Sequence, residues 1–508
     1  LTQSVSWAKN NDGKSNDSKK QDERNNDASR PRDFPVLTAP VTDAAVQPAR
    51  TSAPDSLIFY GVFGLLLFGP LAFGAVEPWA IFILEAGAAL LLLLWTVRQV
   101  QSGELSVARS PVFAPVLMFG LFIVLQLATG RTAYRNETFS AGLLYCAYGM
   151  LCFLVIQVLR RTSQVRALTV AFSAYGFLLA AFALLQSLSS SSKLYWIRTP
   201  RMGGWIYGPY VNHNHYAGLM EMLVPIPLVF SLTRGARGPR KIMAGIAAAL
   251  MASTIFLSGS RGGMLAFVVQ VGLLAVVVVW RQKNRTVTLA LAAFLVIGVG
   301  LVLWLGGSEL AKRLATIHAD TKTELSGGTR LDIDRDALRM FTHRPILGWG
   351  LGVFPDVYPQ FRSFHTNFFI NEAHNDYLQL LVEMGGLGFA TMLWFLWTVY
   401  RNAISKLKNW PEDTNGAVGL AALLGVTGIL VHSFVDFNLQ VPANAALFYV
   451  LCAVAAMESR FGKSRRKPVR RLDVMGEISS ADQFQGQPVE AQRVEEEEID
   501  PAGRSTKN

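Results

Sequence analysis

The feature that most constrains this chain is a recurring run of about 18 to 22 apolar residues, the length that crosses a bilayer's hydrocarbon core. Read along the sequence, twelve such runs fall at 57–76, 78–97, 112–129, 140–159, 167–186, 216–233, 241–258, 262–281, 287–305, 377–400, 416–436 and 440–458. The composition agrees. Of 508 residues, 51% are hydrophobic and 16% charged, whereas a soluble domain is about a quarter charged. The chain reads as an all-α polytopic membrane protein with about twelve transmembrane helices. Its length says little about the number of domains.

The net charge of +11 does not point to nucleic acid, because the basic residues lie largely between apolar runs, where membrane topology accounts for them. Residues 1–56 are rich in Asn, Asp, Ser and Lys, and read as a disordered tail. Residues 459–508 read as a second polar tail, opening with Arg460, Lys463, Arg465, Arg466, Lys467, Arg470 and Arg471 and later holding the acidic run Glu495 to Glu498. The basic cluster suits a juxtamembrane segment near anionic lipid. Cys146, Cys152 and Cys452 sit within apolar runs as small hydrophobes, with no disulfide or zinc spacing.

The short connections alternate in charge. Arg160, Arg161 and Arg166 follow the fourth run, and Arg234, Arg237, Arg240 and Lys241 the sixth. Arg281, Lys283 and Arg285 follow the eighth, and Arg401, Lys406 and Lys408 the tenth. The positive-inside rule makes these loops and both termini cytoplasmic. The stretches 187–215, 259–262, 306–376 and 437–439 then lie outside, in the periplasm of a cell with two membranes. The long segment 306–376 should hold two short helices, one near Ser308 and one from Thr329 with Leu331, Leu338 and Phe341 on one side.

Five separated segments bring polar residues to that outer face: "GPYVNHNHYAGLMEM", "LSGSRGGMLAF", "GGTRLDIDRDALRMFTHRPILGWGLGVF", "EAHNDYLQLLVE" and "HSFVDFNLQVPANAALF". Loop composition alone does not predict their His and Arg, so a shared site is expected. Its candidates are Asn212, His213, His215, Arg261, Arg330, Arg335, His374, Asn375, His432 and Asp436. Arg261 occupies a turn on the side that avoids basic residues, where it either snorkels to headgroups or serves a site. A guanidinium fork suits phosphate oxygens, which makes Arg330 and Arg335 of interest although surface arginines are ordinary. His374 can accept a hydroxyl proton near neutral pH. Asn375 or Asp376 can cap the following helix. Glu383, inside the tenth run, needs a partner or stays protonated, and reads as support for the site.

His-x-His within "NHNH" is too weak for a metal site without further ligands, so no metal is expected. "GWGLG" follows no strand of a βαβ unit and reads as turn-forming glycine. Trp349, Phe354, Tyr358, Phe361, Phe364, Phe368 and Phe369 could stack on sugar or rest at the bilayer interface.

"SGSRGG", "TRLDIDRDALRMF…RPILGWGLGVF" and "EAHNDYLQLLVEMGGLG" together resemble the O-antigen ligase family, with "GPYVNHNHYAGLMEM" and "HSFVDFNLQVPANAALF" resembling its flanking signatures. The resemblance covers roughly residues 208–448. One position departs from it: Asp334 stands where the family commonly has Trp, which puts the packing around Arg330 in question. The resemblance implies a GT-C-like fold and a metal-independent, inverting glycosyl transfer that needs no cofactor. The donor would be a glycan on undecaprenyl diphosphate, and the acceptor a hydroxyl of lipid A–core or of another glycan. Carried over by motif, Arg261 and Arg330 would hold the diphosphate, His374 would orient or deprotonate the acceptor hydroxyl, and Arg335 is a second candidate in the same stretch. The diphosphate is a good leaving group, so such a reaction needs charge stabilisation and alignment of the attacking hydroxyl. Two rival readings remain at this stage: a transporter for a small anion such as bicarbonate, and a non-catalytic partner in polysaccharide assembly.

Overall fold

The computed structural model describes residues 53–103, 105–189, 193–200, 204–235, 238–282, 289, 327–365 and 369–461. Its helices are α1 (Ala53–Leu71), α2 (Pro78–Ser102), α3 (Phe113–Ala128), α4 (Arg135–Val158), α5 (Thr162–Leu188), α6 (His213–Leu223) and α7 (Pro225–Leu232). They continue with α8 (Pro239–Leu257), α9 (Arg261–Gln282), α10 (Gly327–His343), α11 (Phe354–Val357), α12 (Asp376–Ser405), α13 (Thr414–His432) and α14 (Pro442–Ala456). Among the described residues, nine helical stretches are long and apolar enough to cross a membrane, with α6 and α7 running on as one. The chain is a polytopic all-α membrane protein.

The expected count of about twelve is corrected in part. The runs at 112–129 and 440–458 form α3 and α14, apolar helices of 16 and 15 residues. Each is shorter than the roughly 20 residues that span a bilayer upright. Apart from residue 289, the run at 287–305 lies outside the described residues, as do the helix expected near Ser308, the acidic run Glu495 to Glu498 and Phe368. Of the basic cluster after 459, Arg460 lies among the described residues and holds the bundle end. Its Nη1 donates to Ile156 O at 2.7 Å, and its backbone N–H donates to Asn415 Oδ1 at 2.9 Å.

Burial sorts the helices into centre and rim. The α6–α7 stretch is 78% buried and α13 67%, whereas α2 is only 22% buried. Polar residues on central helices need partners inside the protein, and rim helices turn apolar residues toward lipid. Cys152 and Cys452 are buried as expected, but Cys146 is exposed on α4.

The segment before α12 builds its own small core. Ile333, Ala337 and Met340 on α10 pack with Val353, Phe354, Val357, Tyr358, Ile370 and Val382. This corrects the expected helix face in part: Phe341 packs against the core, but Leu331 and Leu338 are 58% and 46% exposed. The i, i+4, i+7 series from Ile333 is buried instead. It corrects the aromatic reading too: Trp349, Phe354, Tyr358, Phe361 and Phe364 belong to or pack against this core, and only Phe369 of those described stands well exposed. Asp336 fastens the core's far side, accepting from Ser363 N–H at 2.9 Å and Ser363 Oγ at 3.1 Å.

"GWGLG" and "MGGLG" lock together. Gly385 interrupts α12 with φ 64 and ψ −172. A Cβ there would come within 2.3 Å of Ile346 O, and one on Gly348 within 2.3 Å of Glu383 O. Two backbones therefore meet where no side chain fits. Trp349 N–H donates to Val382 O at 3.0 Å, Gly350 N–H to Glu383 O at 3.0 Å, and Gly386 N–H to Pro345 O at 2.7 Å. Gln126 of α3 closes the joint, donating to Leu347 O at 2.6 Å and Glu383 O at 2.8 Å. The groups freed by the helix break are thus satisfied within the protein.

Candidate functional site

All five polar segments meet at one end of the bundle. Asp376, the first residue of α12, ties the connection between α13 and α14 in place: Oδ2 accepts from Ser433 Oγ at 2.7 Å and Leu439 N–H at 3.1 Å, and Oδ1 from Gln440 Nε2 at 3.3 Å. Asn375 is the cap of α12, its Oδ1 accepting from Tyr377 N–H and Leu378 N–H, each at 3.2 Å. Of the two residues expected to cap, the Asn does so and the Asp works across the bundle. Between the core and this cap, His374 adopts φ +55. A left-handed non-glycine residue costs on the order of 1 kcal/mol or more and persists only where its surroundings fix it.

That conformation sets the His374 ring beside Asp436. His374 Nδ1 lies 3.8 Å from Asp436 Oδ1, and His215 Nε2 lies 3.8 Å from the same oxygen. Both rings stand edge-on to Phe437, with centroids at 4.8 and 4.7 Å. Asp436 is buried, its Oδ1 accepts the Phe437 N–H at 2.8 Å, and its Oδ2 has no hydrogen-bond partner among the described residues. Arg330 reaches the same turn, Nη1 donating to Val435 O at 2.6 Å. Burial alone would raise the Asp436 carboxyl. The contact with His374 and the charge of Arg330 outweigh it and hold Asp436 well below the usual carboxylate range.

Arg261 opens α9 next to this cluster. Its turn is set by Ser260, whose Oγ accepts the Gly263 N–H at 3.1 Å and lies 3.4 Å from His432 Nε2. His432 Nδ1 in turn sits 2.8 Å from Glu221 Oε1, with both side chains buried. The double glycine after Arg261 follows from this: a Cβ on Gly262 would lie 2.5 Å from His432 Cδ2, so only glycine lets α9 start here. His432 thus belongs to the support under Arg261.

Some expected residues play other parts. Asn212 caps α6, accepting from Asn214 N–H at 2.9 Å, and approaches His215 Nε2 at 3.4 Å. His213 lies against Trp205, with ring centroids 4.5 Å apart. Arg335 does not join the cluster. It is 71% exposed and donates to Asp332 at 2.8 Å. Asp334 hydrogen-bonds Asn375 and faces Arg330, and burial against these opposing effects pushes its carboxyl up to about 6. Glu383 has the partners it needs: Gly352 N–H at 2.9 Å, Phe354 N–H at 3.3 Å and Gln379 Nε2 at 3.3 Å. Gln379 also bonds Glu372, whose carboxyl is pushed up to about 8 by burial, with the charges of Glu383 and Asp376 adding to the effect.

Glu221, Ser260 and Phe437 were missed as individual residues, although each lies in a quoted segment. A carboxylate within an apolar run was the available signal for Glu221. No group of three or more His, Cys, Asp or Glu side chains among the described residues is arranged to hold a metal ion.

A family model described as O-antigen ligase matches residues 246–393. That region contains Arg261, Arg330, Arg335, His374 and Asn375, while His215, His432 and Asp436 lie outside it and join them through the fold. An uncharacterized protein of Haemophilus influenzae is 26% identical over 205 residues, covering 37% of this chain and 49% of that protein. The chain thus spans about half the length of the curated relative it matches.

Proposed function

We propose, from the O-antigen ligase region carried by this membrane protein, that it is a glycosyltransferase moving a glycan from an undecaprenyl-diphosphate-linked donor to an acceptor hydroxyl of lipid A–core or of another glycan. The transfer takes place at the periplasmic face, inverts the anomeric centre and uses no metal. The observation that carries this reading is Asp436 Oδ1 at 3.8 Å from both His215 and His374, with Arg330 on the adjoining residue.

The geometry supports the following chemistry. A proton on Nδ1, 3.8 Å from Asp436 Oδ1, would leave Nε2 of His374 as the proton acceptor, as in other carboxylate–histidine pairs. The acceptor oxygen attacks sugar C1, the C1–O bond to the diphosphate breaks with its electron pair going to the diphosphate, and the hydroxyl proton passes to His374. Asp436 keeps the imidazole oriented and offsets the imidazolium charge. Its low carboxyl range supports an anion in that role. The 3.8 Å contacts are longer than hydrogen bonds, and such contacts tighten once substrate is bound. Arg261 and Arg330 meet the growing charge on the diphosphate, acting through position and field.

The closed joint at Gly385 supports transfer over transport. Carbonyls at a broken helix coordinate ions in many transporters, but here Val382 O and Glu383 O accept from the 349–350 turn and Gln126. The test is the full chain in proteoliposomes with a lipid-diphosphate glycan and candidate acceptors. One added glycan unit per acceptor marks ligation, and a ladder marks polymerisation. Solute flux without sugar transfer would replace this reading with transport. Neither flux nor transfer, with activity appearing only beside another enzyme, would replace it with an assembly role.

A further inference from the structure

The opposite end of the bundle carries a second site. Thr414 and His432 are the first and last residues of α13, roughly 27 Å apart at 1.5 Å per residue. His432 belongs to the cluster described above. Around Thr414 lies a groove of about 1220 Å³, bounded by α5, α7, α8, α13 and α14.

Two of its walls are α5 and α8. They close at Gly176, where a Cβ would meet Met251 Cε at 2.4 Å. Toward Thr162 and Pro239 both helices line the groove. On α5 the lining runs from Thr162 to Phe177, roughly 22 Å at 1.5 Å per residue. One leaflet's share of the hydrocarbon core is about 15 Å. The groove therefore spans one leaflet with room for a headgroup. Its walls are apolar, and Val170, Met243 and Ile246 at its margin are well exposed.

The mouth is charged, with two acids and two arginines in its lining. Two acids line it, and both are engaged: Glu412 pairs with Arg234, and Asp413 caps α13 by accepting from Asn415 N–H at 3.2 Å and Gly416 N–H at 3.3 Å. The two arginines that line it, Arg166 and Arg240, are exposed and form no ion pair among the described residues. A third group points the same way. Trp410 lines the groove and is fully buried, and its Nε1–H has no acceptor among the described residues. A buried donor left unmet is costly, and an ester or phosphate oxygen at this end would supply the acceptor.

We propose that this groove binds one anionic phospholipid, with its acyl chains along α5 and α8, its phosphate between Arg166 and Arg240, and an oxygen at Trp410. The site is separate from the transfer site and independent of the reading given for it. Phosphate near two arginines matches their geometry, and each basic residue near an anionic lipid surface is worth about fivefold in binding.

The full chain, purified in detergent and stripped of lipid, tests this by native mass spectrometry after titration with phosphatidylglycerol or phosphatidylcholine. The expected result is one phosphatidylglycerol retained per chain, with a preference over phosphatidylcholine of about 30-fold from two arginines. Arg166→Gln with Arg240→Gln should remove that preference, Arg166→Lys with Arg240→Lys should keep most of it, and Ala247→Trp should block binding by filling the groove. The arginines are exposed, so these charge variants should fold, and a monodisperse elution profile checks that. Equal retention of the two lipids would overturn the proposal. So would undiminished preference in the double Gln variant, or a second copy of the chain covering this face.

Discussion

His374 Nδ1 and Asp436 Oδ1 face each other at 3.8 Å, although 62 positions separate them in the chain (436 − 374). The relationship depends on Asp376, which anchors the turn carrying Asp436, and on the left-handed backbone of His374. Removing the base should cost about 10²–10⁴-fold in transfer rate, so His374→Ala is expected to lose that much while inserting normally. Asp436→Asn keeps the shape and removes the charge. It should lower the rate and shift the pH dependence of transfer, since the imidazolium loses its counter-charge. A lowered rate with an unmoved pH profile would mean that Asp436 is structural only.

The arginines should separate sharply. Arg261→Ala and Arg330→Ala are each expected to lose about 10²–10³-fold, the scale of a preorganised charge stabiliser. Arg330→Lys should recover little, because a point charge does not reproduce the fork that reaches Val435 O. Arg335→Ala should stay within about twofold of the parent, since its exposed pair with Asp332 contributes little. Initial rates on the four variants check this, and a dead Arg335→Ala would move the phosphate site along α10.

The buried Glu221–His432 pair is expected to be structural. Glu221→Ala leaves His432 without its partner and should destabilise the protein by about 3–5 kcal/mol, read as a fall in thermal midpoint. Glu221→Gln keeps a hydrogen bond at that position and should fall less. Equal midpoints for all three proteins would contradict the support assigned beneath Arg261.

Glu372 should give stability a measurable pH slope. Its carboxyl is raised from 4.5 to about 8 in the fold. Between those values the folded chain holds a proton that the unfolded chain has released, so stability falls as pH rises through that window. Glu372→Gln should flatten the slope there, while Asp436, shifted the other way, adds loss of stability at acid pH. A slope unchanged by Glu372→Gln would show that Glu372 ionises normally.

Gly385→Ala should disrupt the joint between α12 and the 345–350 turn. The substituted Cβ would sit 2.3 Å from Ile346 O at a positive φ. A strained backbone of this kind costs on the order of 1–3 kcal/mol before any clash is counted. Limited proteolysis around residues 344–352 reports it, and unchanged protection would mean that the turn docks without the break.

The sequence made some of this legible and hid the rest. Apolar run length located the spans because bilayer thickness is a property of the environment. The five polar segments could be grouped because alternating loop charge places them on one face. Asp436 stood out within "HSFVDFNLQ", but its partnership with His215 and His374 needed the fold. Leu331 and Leu338 misled because leucine content marks an apolar face only when the face's partner is known, and Ile333, Ala337 and Met340 had the neighbours. The aromatics of 349–364 misled for a related reason: ring chemistry suits sugar, interface and core alike, and packing decided for core. Glu383 could be read as support, yet its partners are backbone N–H groups of Gly352 and Phe354, which carry no signature in side-chain sequence.

The most direct measurement is single-turnover transfer from a lipid-diphosphate glycan by the reconstituted full chain, comparing the parent with Arg261→Ala, Arg330→Ala and His374→Ala at matched membrane insertion. The account predicts transfer by the parent, a product of inverted anomeric configuration, and a loss of at least about 10²-fold in each variant. Undiminished transfer in the His374 and Arg261 variants, or retention of configuration, would contradict it.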